Sequence, residues 1–403
     1  MSTIKKIILI VEAPFNKRDH DRYGIDILKR NGFGVEVWDL TSCLQPDMYS
    51  SINSTNLFKY EDCRSFRNTG EVLKNIDGLS REENLIIFLI EYSITSYPVY
   101  RRISKRRLPY CVFRANNLPF VTPQKSAGIS RLARMIKNAG NIKNLSNVLF
   151  RKIPHSCLGM RPAAFVLAGG ERSVLNKYPS GPKTETLWLH ALDYDIYLNG
   201  NYDPREVDEK MGVFIDEYVP FHPDYLHMKV APFSTAEDYY PGIRRFFDHI
   251  EKVSGAHIVI AAHPRSDYAK YPDFFGGRPI IKDKTVDLIK RSAFVVTHCS
   301  TAANFAILEN KPLIFITTDS LEKSMQGGWI QSMAAWAGRN VINCDRFRDI
   351  DLKKEMTVDE AAYRTYKNAF IKKNGTEDLP FWQLFSERIK NMAIKIDDTL
   401  NVS

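Results

Sequence analysis

Two short stretches in the second half of the chain hold the residues best suited to chemistry. HPRSDY (His263–Tyr268) places an imidazole and a guanidinium two positions apart. An imidazole there can hydrogen-bond a phosphate oxygen and, when protonated, offset leaving-group charge. Arg265 adds a planar, two-pronged donor for the same anion, and Pro264 fixes the turn between them. The second stretch, THCSTAANFAILENKP (Thr297–Pro312), sets Ser300-Thr301 ahead of a helix-length run. Their hydroxyls and the free main-chain N–H groups of the helix start face one anion site. Alone, His-Pro reads as a turn and Ser-Thr as a helix cap. Their weight comes from standing about one strand-helix unit apart.

Such residues must be carried to a common edge. Ile258–Ala262 is an apolar run ending at His263, and Phe294–Val296 one ending before His298. In open α/β sheets ligands bind beyond the carboxyl ends of the strands, so both loops belong there. Phe214 and Ile215 end a further strand at the acidic pair Asp216-Glu217. Leu313–Ile316 and Asn340–Ile342 are further strand candidates. Pro241–Val253 reads as a helix with Ile243, Phe246, Phe247, Ile250 and Val253 on one stripe, stopped by Ser254-Gly255. Thr285 is expected to cap a helix through Arg291, and Lys284 beside it is counted with the phosphate ligands.

The first half repeats the pattern. Ile4–Val11, Val35–Leu40, Leu85–Ile90, Tyr110–Arg114 and Ala163–Ala168 read as strands, with a helix over Asp21–Arg30. Ala163–Ala168 runs into GGERS, which reads either as an ordinary glycine turn with a solvated Glu171 or as two glycines that let backbone approach a ligand while Glu171 points into the same space. Thr186–Leu198 reads as strand-like, which would put Asp193 and Asp195 on one face as a metal pair; no third ligand accompanies them, and no metal is expected. Asn199–Lys210 reads as a linker, and Phe381–Ile396 as a terminal helix. The expected fold class is α/β, with two doubly wound Rossmann-like domains over residues 1–205 and 206–403. No GxGxxG occurs, so the dinucleotide fingerprint is absent.

Composition bounds the function. The 403 residues are 44% hydrophobic and 26% charged, as in globular proteins. The longest apolar runs, Ile7–Val11 and Leu85–Ile90, fall far short of the roughly 20 residues of a membrane helix. Neither these runs nor the first residues resemble a signal peptide, so a cytoplasmic location is expected. Six scattered cysteines without zinc spacing suit reduced thiols. The formal net charge is +9, and Ser126–Lys152 contributes six Lys or Arg with no acidic residue. With Arg101–Arg107, that stretch suits a solvated helix packing on its domain, or a peripheral contact with an anionic membrane, better than nucleic acid, since no aromatic interleaving accompanies it.

HPRSDY followed by HCSTAANFAILENKPLIFITT resembles the carboxy-terminal half of glycosyltransferases with the GT-B fold, two Rossmann-like domains facing a central cleft with a C-terminal helix packing back. The resemblance is strongest to bacterial enzymes that use CMP-activated acidic sugars, the sialyltransferases and Kdo transferases. Those families carry a D/E-D/E motif, an HP motif and a Ser-Ser or Ser-Thr motif. In them the HP histidine and the hydroxyl pair hold the CMP phosphate. Carried over, this implies His263, Ser300 and Thr301 as donor ligands, with Pro264, Arg265 and Lys284 beside them. Asp216-Glu217 stands for the acidic motif, although Tyr218 occupies the place usual for glycine. Phe305 occupies the place of the glutamate that often holds the ribose, with Glu309 a turn later. The opening VEAPFNKRDHDRYGIDILKRNGFGVEVWDL resembles proteins of surface-polysaccharide assembly.

The resemblance implies transfer of a CMP-activated ulosonic acid, most of all Kdo, to a lipopolysaccharide O-antigen or capsule acceptor, itself lipid-linked. Glu171, Asp216, Glu217 and His263 would be the catalytic groups. No cofactor is implied beyond the donor itself. A polyol phosphotransferase using CDP-glycerol, a sialyl or nonulosonic acid transferase, and an inert glycan-binding protein are the competing expectations.

Overall fold

The computed structural model describes residues 4–392 apart from 47–48, 50–57, 120–145, 148, 175–177, 201–206, 224, 226–229, 272 and 349. The basic stretch Ser126–Lys152 lies largely outside them. The chain forms two compact units. The first comprises Met1–Asn117, Ile129–Leu198 and Lys372–Ser403, and the second Leu118–Gly128 and Asn199–Ile371.

The first unit is built on β1 (Lys6–Val11), β2 (Gly34–Asp39), β3 (Cys63–Ser65), β4 (Asn84–Phe88), β5 (Tyr110–Phe113), β6 (Phe165–Ala168) and β7 (Glu185–Trp188). They form one sheet in the order β3-β2-β1-β4-β5-β6-β7, every pair parallel. Side chains alternate along a strand. Ile7, Leu9 and Val11 therefore join the core on one face, and Ile8 and Ile10 the core on the other. Covered faces explain why these strands read as unbroken apolar runs.

The helix expected over Asp21–Arg30 is two helices, Lys17–Arg22 and Ile25–Arg30, broken at Gly24. Gly24 has φ +55, and a Cβ there would fall 2.2 Å from Trp382 Cδ1. Trp382 belongs to the helix Phe381–Asn391, whose Phe381, Trp382, Phe385 and Ile389 fill the same core as Ile7 and Leu9. Its indole N–H donates to the Arg22 carbonyl at 2.9 Å. Burial of that apolar face is what draws residues 372–392 out of the second domain, where the sequence boundary at 205/206 had put them.

Thr186–Leu198 is not one strand. It divides into β7 and the helix Leu192–Leu198. Two positions apart on a helix lie about 200° apart, so Asp193 and Asp195 do not share a face. Asp195 Oδ1 instead accepts the Phe381 N–H at 2.8 Å, and burial raises its pKa.

The second unit contains β8 (Asp208–Ile215), β9 (His257–Ala262), β10 (Ile280–Lys282), β11 (Ser292–Thr297), β12 (Leu313–Thr317) and β13 (Val341–Asn343). All are parallel, in the order β10-β9-β8-β11-β12-β13. The helix Ala236–Ser254 buries Tyr239, Ile243, Phe246, Phe247 and Ile250. It starts earlier than Pro241, because Thr235 caps it by accepting the Asp238 N–H at 3.2 Å. Thr285 is the first helical residue of Thr285–Arg291 and not its cap. No helix among the described residues is long and apolar enough to cross a membrane.

Candidate functional site

In the second sheet the order turns back between β8 and β11. That reversal leaves a crevice beyond the carboxyl ends of the two strands, the usual ligand position in such sheets. Asp216-Glu217 leaves β8, His298-Cys299-Ser300 leaves β11, and His263 leaves the adjacent β9. Three of the stretches singled out by sequence therefore meet at one edge.

Hydrogen bonds join them. Asp216 is 3% exposed. Its Oδ1 accepts the Tyr218 N–H at 2.9 Å, and its Oδ2 accepts the Tyr268 hydroxyl at 2.8 Å and the His263 N–H at 3.3 Å. Burial pushes its pKa up to about 6 against these three donors. Such a carboxyl holds the His263 turn in place.

Glu217 is only half-buried. Its Oε1 accepts the Cys299 N–H at 2.7 Å, and its Oε2 accepts the Gln326 amide at 2.9 Å and the Cys299 thiol at 3.6 Å. Burial pushes its pKa to about 7, with the Asp216 charge adding a smaller push. Gln326, itself buried, keeps an Oε1 without a hydrogen-bond partner.

Tyr218 has φ +53 and ψ +39, the left-handed conformation that favours glycine. The backbone thus turns as a glycine would turn it. The Asp216 bond to the Tyr218 N–H and the packing of its ring on Tyr268 (centroids 5.2 Å) hold it there.

His263 Nδ1 accepts the Arg265 N–H at 3.2 Å, so the neutral ring carries its proton on Nε2 as a donor. Pro264 and Arg265 are exposed on the same turn. Ser300 and Thr301 lie in the turn before the short helix Ala303–Leu308, whose N-cap is Ala302. Ser300 Oγ accepts the Ala302 N–H at 3.3 Å, and Thr301 is exposed. Lys284 is exposed after β10, 3.7 Å from Asp287 on its own helix. Glu309, at the far end of Ala303–Leu308, pairs with the buried Lys290 at 3.8 Å. His298 is fully buried between the Tyr239 hydroxyl and the Ile316 carbonyl, both 2.7 Å away. Burial lowers its pKa to about 4, so it is neutral and structural.

The first unit carries a corresponding arrangement. Its order reverses between β1 and β4. There Glu12, after β1, accepts the Glu91 N–H, after β4, at 3.2 Å. Burial raises Glu12 to about 7, with the Glu91 carboxylate adding to it. Sequence reasoning passed over Glu12. The signal was available in its place, the first residue after the first buried strand. Glu171 is exposed in a single turn after β6. Among the described residues no cluster of three metal-ligating side chains occurs.

No protein-family model and no curated protein matches the chain. Among solved structures, MurG of Acinetobacter baumannii aligns with 96% of this chain and 100% of its own, at 10% identity and a TM-score of 0.50. The chain has the GT-B fold. MnaA of S. aureus with UDP aligns at 13% identity over 96% of this chain and 95% of its own, with a TM-score of 0.48. The glycosyltransferase SnogD of Streptomyces nogalater aligns at 11% identity over 96% and 99%, with a TM-score of 0.46. At these identities the MurG likeness speaks for the fold alone.

Proposed function

We propose that this chain is a glycosyltransferase that takes a nucleotide-activated sugar in its second unit, the donor being a CMP-activated ulosonic acid such as Kdo. The acceptor in this reading is a lipid-linked surface polysaccharide, lipopolysaccharide O-antigen or capsule. The observation that carries the reading is the convergence of the β8, β9 and β11 exits, tied through Asp216 to His263 and through Glu217 to Cys299. The CMP donor rests on the resemblance of HPRSDY and HCSTAANFAILENKP to enzymes of that kind.

In this reading the acceptor hydroxyl attacks the anomeric carbon, the bond from that carbon to phosphate oxygen breaks, and CMP departs with the bonding pair. His263 Nε2–H and the Arg265 guanidinium offset the phosphate charge, with Ser300, Thr301 and Lys284 as further donors. The hydroxyl proton passes to a carboxylate. Glu12 suits that role, because a base works best with a pKa near the working pH. Glu217 sets the crevice and answers to the charge of the bound donor. No metal is assigned to this chemistry. Exposed Arg101, Lys105, Arg106 and Arg107 support a peripheral contact with an anionic membrane.

Thermal unfolding with CMP, CDP and UDP tests the reading, since a ligand of the folded state raises the midpoint. CMP is expected to raise it most. A larger rise with CDP favours a polyol phosphotransferase and one with UDP another sugar donor; no rise with any of the three removes the reading.

A further inference from the structure

Near the His263 turn, four aromatic rings stack with their planes almost parallel. Tyr240, 2% exposed, lies on Phe274 with centroids 4.1 Å apart and 13° between planes. Phe274 lies on Tyr271 at 4.8 Å and 12°. Phe221 stands 5.8 Å from Tyr271 at 4° and 5.9 Å from Phe274 at 14°. The stack begins in the core and ends in water, with Tyr271 45% and Phe221 37% exposed. Offset-parallel rings present a π-face to the next flat group, and large exposed rings are held at a surface against the hydrophobic effect.

Its outer end adjoins the anion-binding turn. Phe221 ends the turn that follows Asp216-Glu217, and the next residue, His222, meets the His263 ring at 4.8 Å between centroids. Tyr271 closes the short helical turn begun by Tyr268, which holds Asp216. Tyr240 and Tyr268 also join by their hydroxyls at 3.3 Å. The stack and the His263 turn are therefore joined by direct contacts.

The geometry points to the Phe221–Tyr271 face as the seat of a planar nucleobase whose phosphate meets His263 and Arg265. This inference rests on the reading of that turn as phosphate-binding. It adds the base subsite and a consequence: a stacking face accepts any base, so choice between bases is made elsewhere.

Calorimetric titration of the full chain with CMP, UMP and ribose 5-phosphate tests it. The wild type is expected to bind CMP about tenfold more tightly than ribose 5-phosphate, as one stacked base gives. Phe221→Ala and Tyr271→Ala should each remove most of that difference, equally for CMP and UMP, and leave ribose 5-phosphate unchanged. Phe221→Tyr should keep it. Unchanged CMP affinity in both alanine variants overturns the base seat alone. An equal loss for CMP and ribose 5-phosphate also overturns it, as a structural role for the rings. So does retained CMP affinity with lost sedimentation on anionic phospholipid vesicles. A wild type that binds none of CMP, CDP and UDP overturns the donor reading and the base seat together.

Discussion

Glu217 Oε1 accepts the main-chain N–H of Cys299 at 2.7 Å, fastening the exit of β8 to that of β11 across the reversal in strand order. Glu12 does the same for β1 and β4 through the Glu91 N–H at 3.2 Å. Each unit thus spans its crevice with a carboxyl that burial has pushed to about 7. Such a group is poised to change charge when a ligand changes the local field.

Stability should fall as pH rises through the carboxyl range. Asp216, Glu217 and Glu12 have folded pKa values raised to about 6, 7 and 7 from ordinary values of 3.8, 4.5 and 4.5. The folded state binds their protons more tightly, so the stability they contribute is full below about pH 4 and is lost as pH rises to about 7. Urea unfolding between pH 5 and pH 8 should show this slope, and Glu217→Gln should flatten it. A slope unchanged in that variant would contradict the assignment.

Removing Asp216 takes the acceptor from the Tyr218 and His263 N–H groups and leaves the Tyr268 hydroxyl with Tyr240 alone. Asp216→Ala should cost at least about 2 kcal/mol, since each buried unpaired donor costs about 1–3 kcal/mol. Tyr268→Phe, which removes one donor, should cost less. Denaturant titration of both variants ranks them.

Glu12→Gln should lower kcat about a hundredfold or more, the usual contribution of a general base, and abolish the rise in rate through about pH 7 that its ionisation gives. Glu171→Gln should do less. The reverse ranking, with an intact pH profile for Glu12→Gln, would return the role to Glu171.

Arg265→Ala should weaken donor binding about tenfold, as expected for a charge-assisted hydrogen bond, and Arg265→Lys should restore only part of it. Titration with CMP reads both. Equal affinity in all three proteins would exclude Arg265 from the phosphate site.

How much of this was legible follows from how local each signal is. Buried parallel strands announce themselves, so β1, β4, β9, β11 and β12 lie within a few residues of their expected places. The strand exits with His263 and Ser300 followed directly. The hydrogen-bond partners of Asp216 did not, because an acidic pair at a strand end looks the same whether it faces solvent or three donors. The break at Gly24 was hidden because its cause, Trp382, lies far along the chain. Asp195 failed for the same reason. Its partner is the Phe381 N–H, and the short helix that turns it there has no strong periodicity.

Trp382→Ala should destabilise the first unit by about 3–5 kcal/mol, the range for losing a buried aromatic. Chemical denaturation followed by fluorescence of the remaining tryptophans measures it.

The helix Phe381–Asn391 also carries a consequence for synthesis. At about 5–20 residues per second, the ribosome completes residues 1–198 on the order of ten seconds or more before this helix emerges. Through that interval the face of β1 that holds Ile7 and Leu9 lacks the part of its cover that Phe381, Trp382, Phe385 and Ile389 supply. The nascent first unit is therefore a natural client for chaperones that shield apolar surface, and a truncation before residue 381 should be recovered with them or in aggregates.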